Sequence, residues 1–288
     1  MLKGLNPQQI EAVIEEGNVL LTACPGSGKT RALTYKIAYE LERLTNSKKI
    51  IIAVTFTNRA ADEIKKRIRE LNTDDTNLWA GTIHSFCLEW ILRPYMCYLD
   101  EIKNGFSISD EYNSENLMSE LKKTYGLNFW DSVSTKYLPN GEKEEVVYRE
   151  LLDEYHETLA SKKLIDFDQI LHYAHQLILT YPKISEILKN MFHLICVDEY
   201  QDTQQLQYAI LAKIMKGASG DCKMFFVGDS DQAIYGSLGG VAKELEEINN
   251  EFGVVFTGKE LSGNYRSNQQ IIDYYRNFQT TNIDIKAL

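Results

Sequence analysis

Cysteine and proline are scarce, five of each in 288 residues, and no two cysteines form a C-x-x-C pair. The odd number and wide scatter of Cys24, Cys87, Cys97, Cys196 and Cys222 argue against a disulfide framework and against a zinc site, so reduced thiols are expected. Cys196 falls in the apolar run HLICV and reads as a small core residue, whereas Cys24 lies in a glycine-rich turn where exposure is expected. No apolar stretch approaches the roughly 18–20 residues of a membrane span, and the start MLKGLNPQQIEAV lacks the apolar centre of a signal peptide. A cytoplasmic location is therefore expected. Positive charge is lacking too: the net charge of −10 argues against a grip on nucleic acid by bulk electrostatics.

What is present is an ordinary globular composition, 44% hydrophobic and 25% charged, enough for one large core or two modest ones. Charge is unevenly spread. Between Arg31 and Glu70 there are ten basic and five acidic residues, with a cluster at Lys65, Lys66, Arg67 and Arg69 that reads as a solvated helix face or a phosphate-contacting surface. From Asp100 to Glu157 the balance reverses, fourteen acidic against six basic.

Val19-Leu20-Leu21-Thr22-Ala23 is a short apolar run ending at a Pro/Gly turn, after which ALTYKIAYELERL repeats apolar residues at helical spacing. The same alternation returns in KIIIAVTF with NRAADEIKKRIREL and in HLICVDEY with TQQLQYAILAKIM; KMFFVGD supplies a further strand. Apolar strands alternating with amphipathic helices predict an α/β fold, a mainly parallel sheet with helices on both faces. Between about Trp90 and Tyr181 strand runs give way to polar helical patterns, SENLMSELKKTYG and KEEVVYRELLDEYHETLASKKL, which predict a helical insertion.

Ala23-Cys24-Pro25-Gly26-Ser27-Gly28-Lys29-Thr30 fits the phosphate-loop pattern except for alanine at its first position. Gly26 and Gly28 let successive N–H groups curl around an anion, Lys29 can neutralise β- and γ-phosphates, and the Thr30 hydroxyl can ligate Mg²⁺. At the end of a second apolar strand Asp198 can hold Mg²⁺ and Glu199 can orient or deprotonate water, which favours hydrolysis over transfer to a substrate hydroxyl. A small-molecule kinase has only the loop in its favour.

The order of the remaining segments resembles the UvrD/Rep/PcrA family of superfamily 1 DNA helicases. LNPQQIEAV is similar to its opening glutamine motif, which implies that Gln9 meets the adenine edge, and ACPGSGKTR to its first motif, with Arg31 near the base. VTFTNRAADEI resembles the segment that places single-stranded DNA against Phe56, Thr57 and Asn58, and GTIHSFC the one in which Thr82, His84 and Ser85 face the strand. LIDFDQIL resembles the return from an inserted domain. VDEYQDTQ extends the acidic pair as the family does. VGDSDQAIYG implies a γ-phosphate sensor at Gln232 and a stacking Tyr235; LSGNYRS implies Tyr265 on adenine and Arg266 on the γ-phosphate.

The resemblance therefore implies a RecA-like P-loop NTPase domain in two parts, residues 1–92 and 181–288, around an inserted, mostly helical subdomain at 93–180. ATP and Mg²⁺ are the expected cofactors and single-stranded DNA, or a single/double-strand junction, the expected partner. The expected activity is that of an ATP-binding fragment of a 3′-to-5′ helicase or translocase. The chain departs from the family where Gly236-Ser237-Leu238 replaces an aromatic and an arginine, and it ends at Leu288, before a second RecA-like domain. Weak activity alone is expected. The alternative is a nucleotide-dependent binding module without translocation.

Overall fold

The computed structural model describes residues 2–44, 48–128, 130–233, 239–279, 281 and 283–288. By compactness the chain divides into a unit of residues 1–83, 185–204 and 211–288 and a second of residues 84–184 and 205–210.

The first unit is built on six strands: β1 (Asn18–Ala23), β2 (Ile50–Thr55), β3 (Leu78–Thr82), β4 (Phe192–Asp198), β5 (Lys223–Gly228) and β6 (Phe256–Leu261). Their order is β3-β2-β4-β5-β1-β6 and every neighbouring pair is parallel. The α/β sheet and the strands read from apolar runs are as expected; β3 and β6 are additional. In β6 only the terminal Phe256 and Leu261 are buried, as befits an edge strand, and so it carries no apolar run.

Alternation places Val19, Leu21 and Ala23 of β1 in one core with Leu33 and Ile37 of the Lys29–Arg43 helix and Ile64 and Ile68 of the Asn58–Glu70 helix. On the other face Phe226 of β5 meets Phe252 of the Leu245–Phe252 helix edge-on, ring centroids 5.4 Å apart. Helices thus cover both faces, as the crossovers of a parallel sheet require.

A buried ion pair fastens the first helix, Pro7–Ile14, to this layer. Lys36 is 1% exposed; its ammonium donates to Val13 O (3.2 Å), Glu15 O (2.6 Å) and Glu40 Oε1 (2.7 Å), and Glu40 Oε2 lies 2.9 Å from His193 Nε2 on β4. The lysine thereby satisfies carbonyls left open at a helix end.

In the second unit the helices Glu111–Thr124 and Arg149–Ser161 enclose a small core of Leu121, Leu151, Leu152, Tyr155 and Leu159. The helical pattern expected from Lys143 starts only at Arg149, and two-residue strands, Ser107–Ile108 and Leu164–Ile165, pair where none was expected. The late start has a local cause: the Glu145 carboxylate accepts the amides of Ser134 (3.1 Å), Val147 (2.8 Å) and Tyr148 (3.1 Å), which holds this stretch as a loop. No described helix is long and apolar enough to cross a membrane.

Burial pushes the Glu40 carboxyl up, but the His193 hydrogen bond and the Lys36 charge outweigh it and hold it at about 2, below its ordinary 4.5. A carboxyl depressed in the folded state contributes stability that is complete above 4.5 and is lost as pH falls toward 2. Glu40→Gln leaves Lys36 buried without its counter-ion and should cost about 3–5 kcal/mol near neutrality. Urea unfolding of both proteins should show this difference shrinking through that acid window; a pH-independent difference would contradict the assignment.

Candidate functional site

Because all six strands run the same way, their carboxyl ends lie along one edge, where open parallel sheets place their ligand sites. Register sets the row: Asp198 pairs with Val227, Thr22 with Gly228, and Ala23 with Leu261. The residues following β4, β5, β1 and β6 therefore emerge side by side.

After β1 the chain forms a tight loop in which Gly26 (φ 74°) and Gly28 (φ 84°) take the left-handed conformation that glycine tolerates, and the helix begins at Lys29. Ala23, at the position where the pattern has glycine, is the last residue of β1, fully buried and with no positive φ, so its methyl costs nothing. Ser27 is fully buried and its hydroxyl has no hydrogen-bond partner among the described residues. An anion cradled by the loop would supply one. Cys24 corrects the expectation of exposure: at 2% exposed it packs with Ile272, Ile283 and Ile285, and burial together with the Asp229 charge pushes its thiol up to about 11.

The Lys29 ammonium, on a side chain 10% exposed, lies 3.2 Å from Glu199 Oε2, 3.1 Å from Gln232 Oε1 and 4.0 Å from Asp229 Oδ2. Burial and then the Glu199 charge raise Asp198 to about 7, and burial raises Asp229 to about 6, each opposed by Lys29. The carboxyl groups near this ammonium outnumber it and leave an excess of negative charge, although no three such side chains among the described residues are grouped closely enough to hold a metal ion by themselves. Glu199 itself is left-handed (φ 50°, ψ 52°), and its Oε2 accepts Gln201 Nε2 at 3.0 Å.

Behind these residues, Gln201 Oε1 accepts the Asp229 amide (2.9 Å) and so ties the end of β4 to that of β5. Asn264, following β6, donates to Pro25 O at 2.7 Å. Sequence reasoning assigned no role to Asp229, Gln201 or Asn264; their signal is a carboxylate or carboxamide shortly after a strand end, within the segments VGDSDQAIYG, VDEYQDTQ and LSGNYRS.

The expected nucleotide residues are otherwise placed as follows. Gln9 is 1% exposed and committed, with Nε2 donating to Ser27 O (3.0 Å) and Oε1 accepting the Asn6 amide (3.1 Å). The exposed Tyr265 accepts Asn6 Nδ2 at its hydroxyl, 2.9 Å, and Arg266 beside it is exposed. Arg31 is exposed and lies over the Tyr35 ring, 5.8 Å from its centroid. Thr30, at the second helical position, is half-buried.

Of the expected strand-binding residues, Phe56 follows β2 and is 53% exposed, Thr57 caps the next helix through the Ala60 amide (3.2 Å), and Asn58 is exposed. Thr82 ends β3, half-buried. His84 and Ser85 belong to the other unit; the His84 ring meets Phe167 edge-on at 5.5 Å and burial lowers its pKa. Tyr235 lies outside the described residues.

Against known proteins, the profile of the UvrD/REP helicase N-terminal domain matches residues 5–136 and 130–253. ATP-dependent DNA helicase UvrD1 of Mycobacterium bovis is 31% identical over 300 residues, covering 94% of this chain and 38% of the relative. DNA helicase II of Escherichia coli is 33% identical over 292 residues, with 94% and 40% covered, and ATP-dependent DNA helicase PcrA of Staphylococcus aureus 31% over 296, with 95% and 39%. The chain thus spans about two fifths of the length of these relatives.

A methyl on Gly26 would take a left-handed φ and lie 2.8 Å from both Asn264 Oδ1 and Arg266 Cβ. Gly26→Ala should therefore lower the unfolding free energy by about 1–3 kcal/mol. Urea denaturation would read this, and an unchanged midpoint would mean that the loop does not need glycine here.

Proposed function

Because the chain belongs to the UvrD/REP helicase N-terminal domain family, we propose that it binds and hydrolyses ATP with Mg²⁺ and that its longer polypeptide couples this to 3′-to-5′ movement on single-stranded DNA. The observation that carries the reading is the meeting of Lys29 with Glu199 and Gln232 at the carboxyl edge of the sheet. These contacts hold the lysine in a position that phosphate oxygens can take over.

In this reading the loop of residues 23–30 (Ala23, Cys24, Pro25, Gly26, Ser27, Gly28, Lys29 and Thr30) binds the phosphates through main-chain amides not spent within the fold, Pro25 having none to give, and through the Lys29 ammonium. Thr30 and Asp198 hold Mg²⁺, and Glu199 orients the attacking water. Gln232, once freed from Lys29, reports the γ-phosphate, and Arg266 offsets charge that builds on it. Tyr265 covers the adenine, and Gln9 reads its edge after giving up Ser27; Arg31 stands near the base. Stepping along any sequence asks for contacts blind to base identity, which stacking on Phe56 and Tyr235 and polar contacts from Thr57, Asn58 and Thr82, and from His84 and Ser85, would give. The domain limits proposed are 1–92 and 181–288 around 93–180, and the place of action the cytoplasm.

A second reading, a nucleotide-dependent binding module without translocation, is favoured by Gly236-Ser237-Leu238 standing where the family has an aromatic and an arginine. One stacking platform fewer would weaken strand grip by about 1–3 kcal/mol.

Steady-state ATPase, with and without single-stranded DNA, tests both readings on this chain and on one extended through a second RecA-like domain. Slow hydrolysis by the chain and clear DNA stimulation of the extended protein are expected. Lys29→Ala should weaken ATP binding about tenfold or more, as befits loss of a charge-assisted contact. No DNA stimulation of the extended protein, or unwinding by the chain alone, would overturn the helicase reading.

A further inference from the structure

Asn264 is 5% exposed although it stands beside the exposed Tyr265 and Arg266. Its carboxamide is used at both ends. Nδ2 donates to Pro25 O at 2.7 Å, while Oδ1 accepts the amides of Arg266 and Ser267, each at 2.8 Å. Beside it the Tyr265 amide donates to Gly26 O at 2.9 Å, and the absent side chain of Gly26 lets Arg266 Cβ approach the loop. Only a side chain that donates and accepts can bridge a carbonyl on one segment and two amides on another, which selects asparagine over aspartate or leucine.

We propose that Asn264 is a positioning residue: it clamps the segment after β6 onto the phosphate loop and so sets where Arg266 meets the terminal phosphate of a bound nucleoside triphosphate. This rests on the ATP-hydrolysing reading above. Further bonds, independent of this side chain, hold the main chain here. Asn264 O accepts the Leu288 amide at 2.9 Å and Asn264 pairs in parallel with Ala287, so the backbone stays anchored when the side chain is cut. Losing the carboxamide therefore removes the three bonds that set the turn carrying the arginine, and loosens it, without unfolding its segment.

The test measures equilibrium binding of fluorescent ADP and of a fluorescent non-hydrolysable ATP analogue, both with Mg²⁺, to the full chain. The proteins compared are the unaltered chain, Asn264→Ala, Arg266→Ala and the double variant, with melting temperatures alongside. Asn264→Ala should reduce the preference for the ATP analogue over ADP about tenfold, as Arg266→Ala does, and the double variant should lose no more than Arg266→Ala alone. Asn264→Asp keeps the acceptor and loses the donor to Pro25; its preference should also fall. An unchanged preference in Asn264→Ala, or losses that add in the double variant, would overturn the proposal. Equal weakening of both nucleotides with a lowered melting temperature would show a merely structural role and overturn it too. If the unaltered chain binds neither nucleotide, the ATP reading itself fails and the clamp with it.

Discussion

The parallel pairing of six strands is the constraint on which the site depends. An antiparallel sheet sends alternate strand ends to opposite edges, whereas here all six carboxyl ends share one. The register then decides which residues become neighbours: with Asp198 opposite Val227 and Thr22 opposite Gly228, the segments carrying Glu199, Asp229 and Lys29 must emerge together. The helices on both faces bury the sheet and make it a rigid base, so the turns leaving its edge start from fixed points.

Those turns converge on one charge. Lys29 sits in a largely buried place where an unpaired ammonium would be costly, and it is held there by Glu199 and Gln232 with Asp229 close by. The carboxyl groups in turn depend on it: burial, and after it neighbouring carboxylates, raise Asp198 and Asp229, and the lysine is the largest of the effects opposing that rise. Gln201 and Asn264 supply the mechanical side of the arrangement, since each ties the turn after one strand to the turn or loop after another. A phosphate arriving at this place would compete with Glu199 and Gln232 for a lysine that is already positioned.

Much of the fold was legible because buried parallel strands are apolar throughout. β1, β2, β4 and β5 lie inside the sheet and read directly from runs such as VLL, IIIAV, LICV and MFFV. The edge strands did not: β6 alternates buried ends with an exposed middle, and β3 is five residues with only Ala80 and Gly81 buried. The Lys36–Glu40 pair was equally hidden, because a lysine and a glutamate four residues apart read as a solvated helix face. The failed helix start near Lys143 has the same origin. Glu145 spends its carboxylate on three backbone amides, a use of charge that a helical pattern does not reveal. Within the site, the phosphate loop and the acidic pair were visible as local patterns, but the residues that join one turn to another are far apart in sequence.

Glu199 shows how the two levels meet. A strand continued past Asp198 would send the next side chain to the opposite face, away from its neighbour. The left-handed backbone at Glu199 breaks that alternation and starts the turn Tyr200–Asp202, at a steric cost of about 1–2 kcal/mol for a residue with a Cβ. The cost is offset locally: Asp198 Oδ1 accepts the Glu199 amide at 3.1 Å, and the Glu199 carboxylate reaches both Lys29 and Gln201. A glycine would relieve the backbone but lose the carboxylate, and an extended glutamate would keep the carboxylate but lose the lysine. The strained conformation thus brings Glu199 against Lys29, the same charge that opposes the rise of its neighbour Asp198.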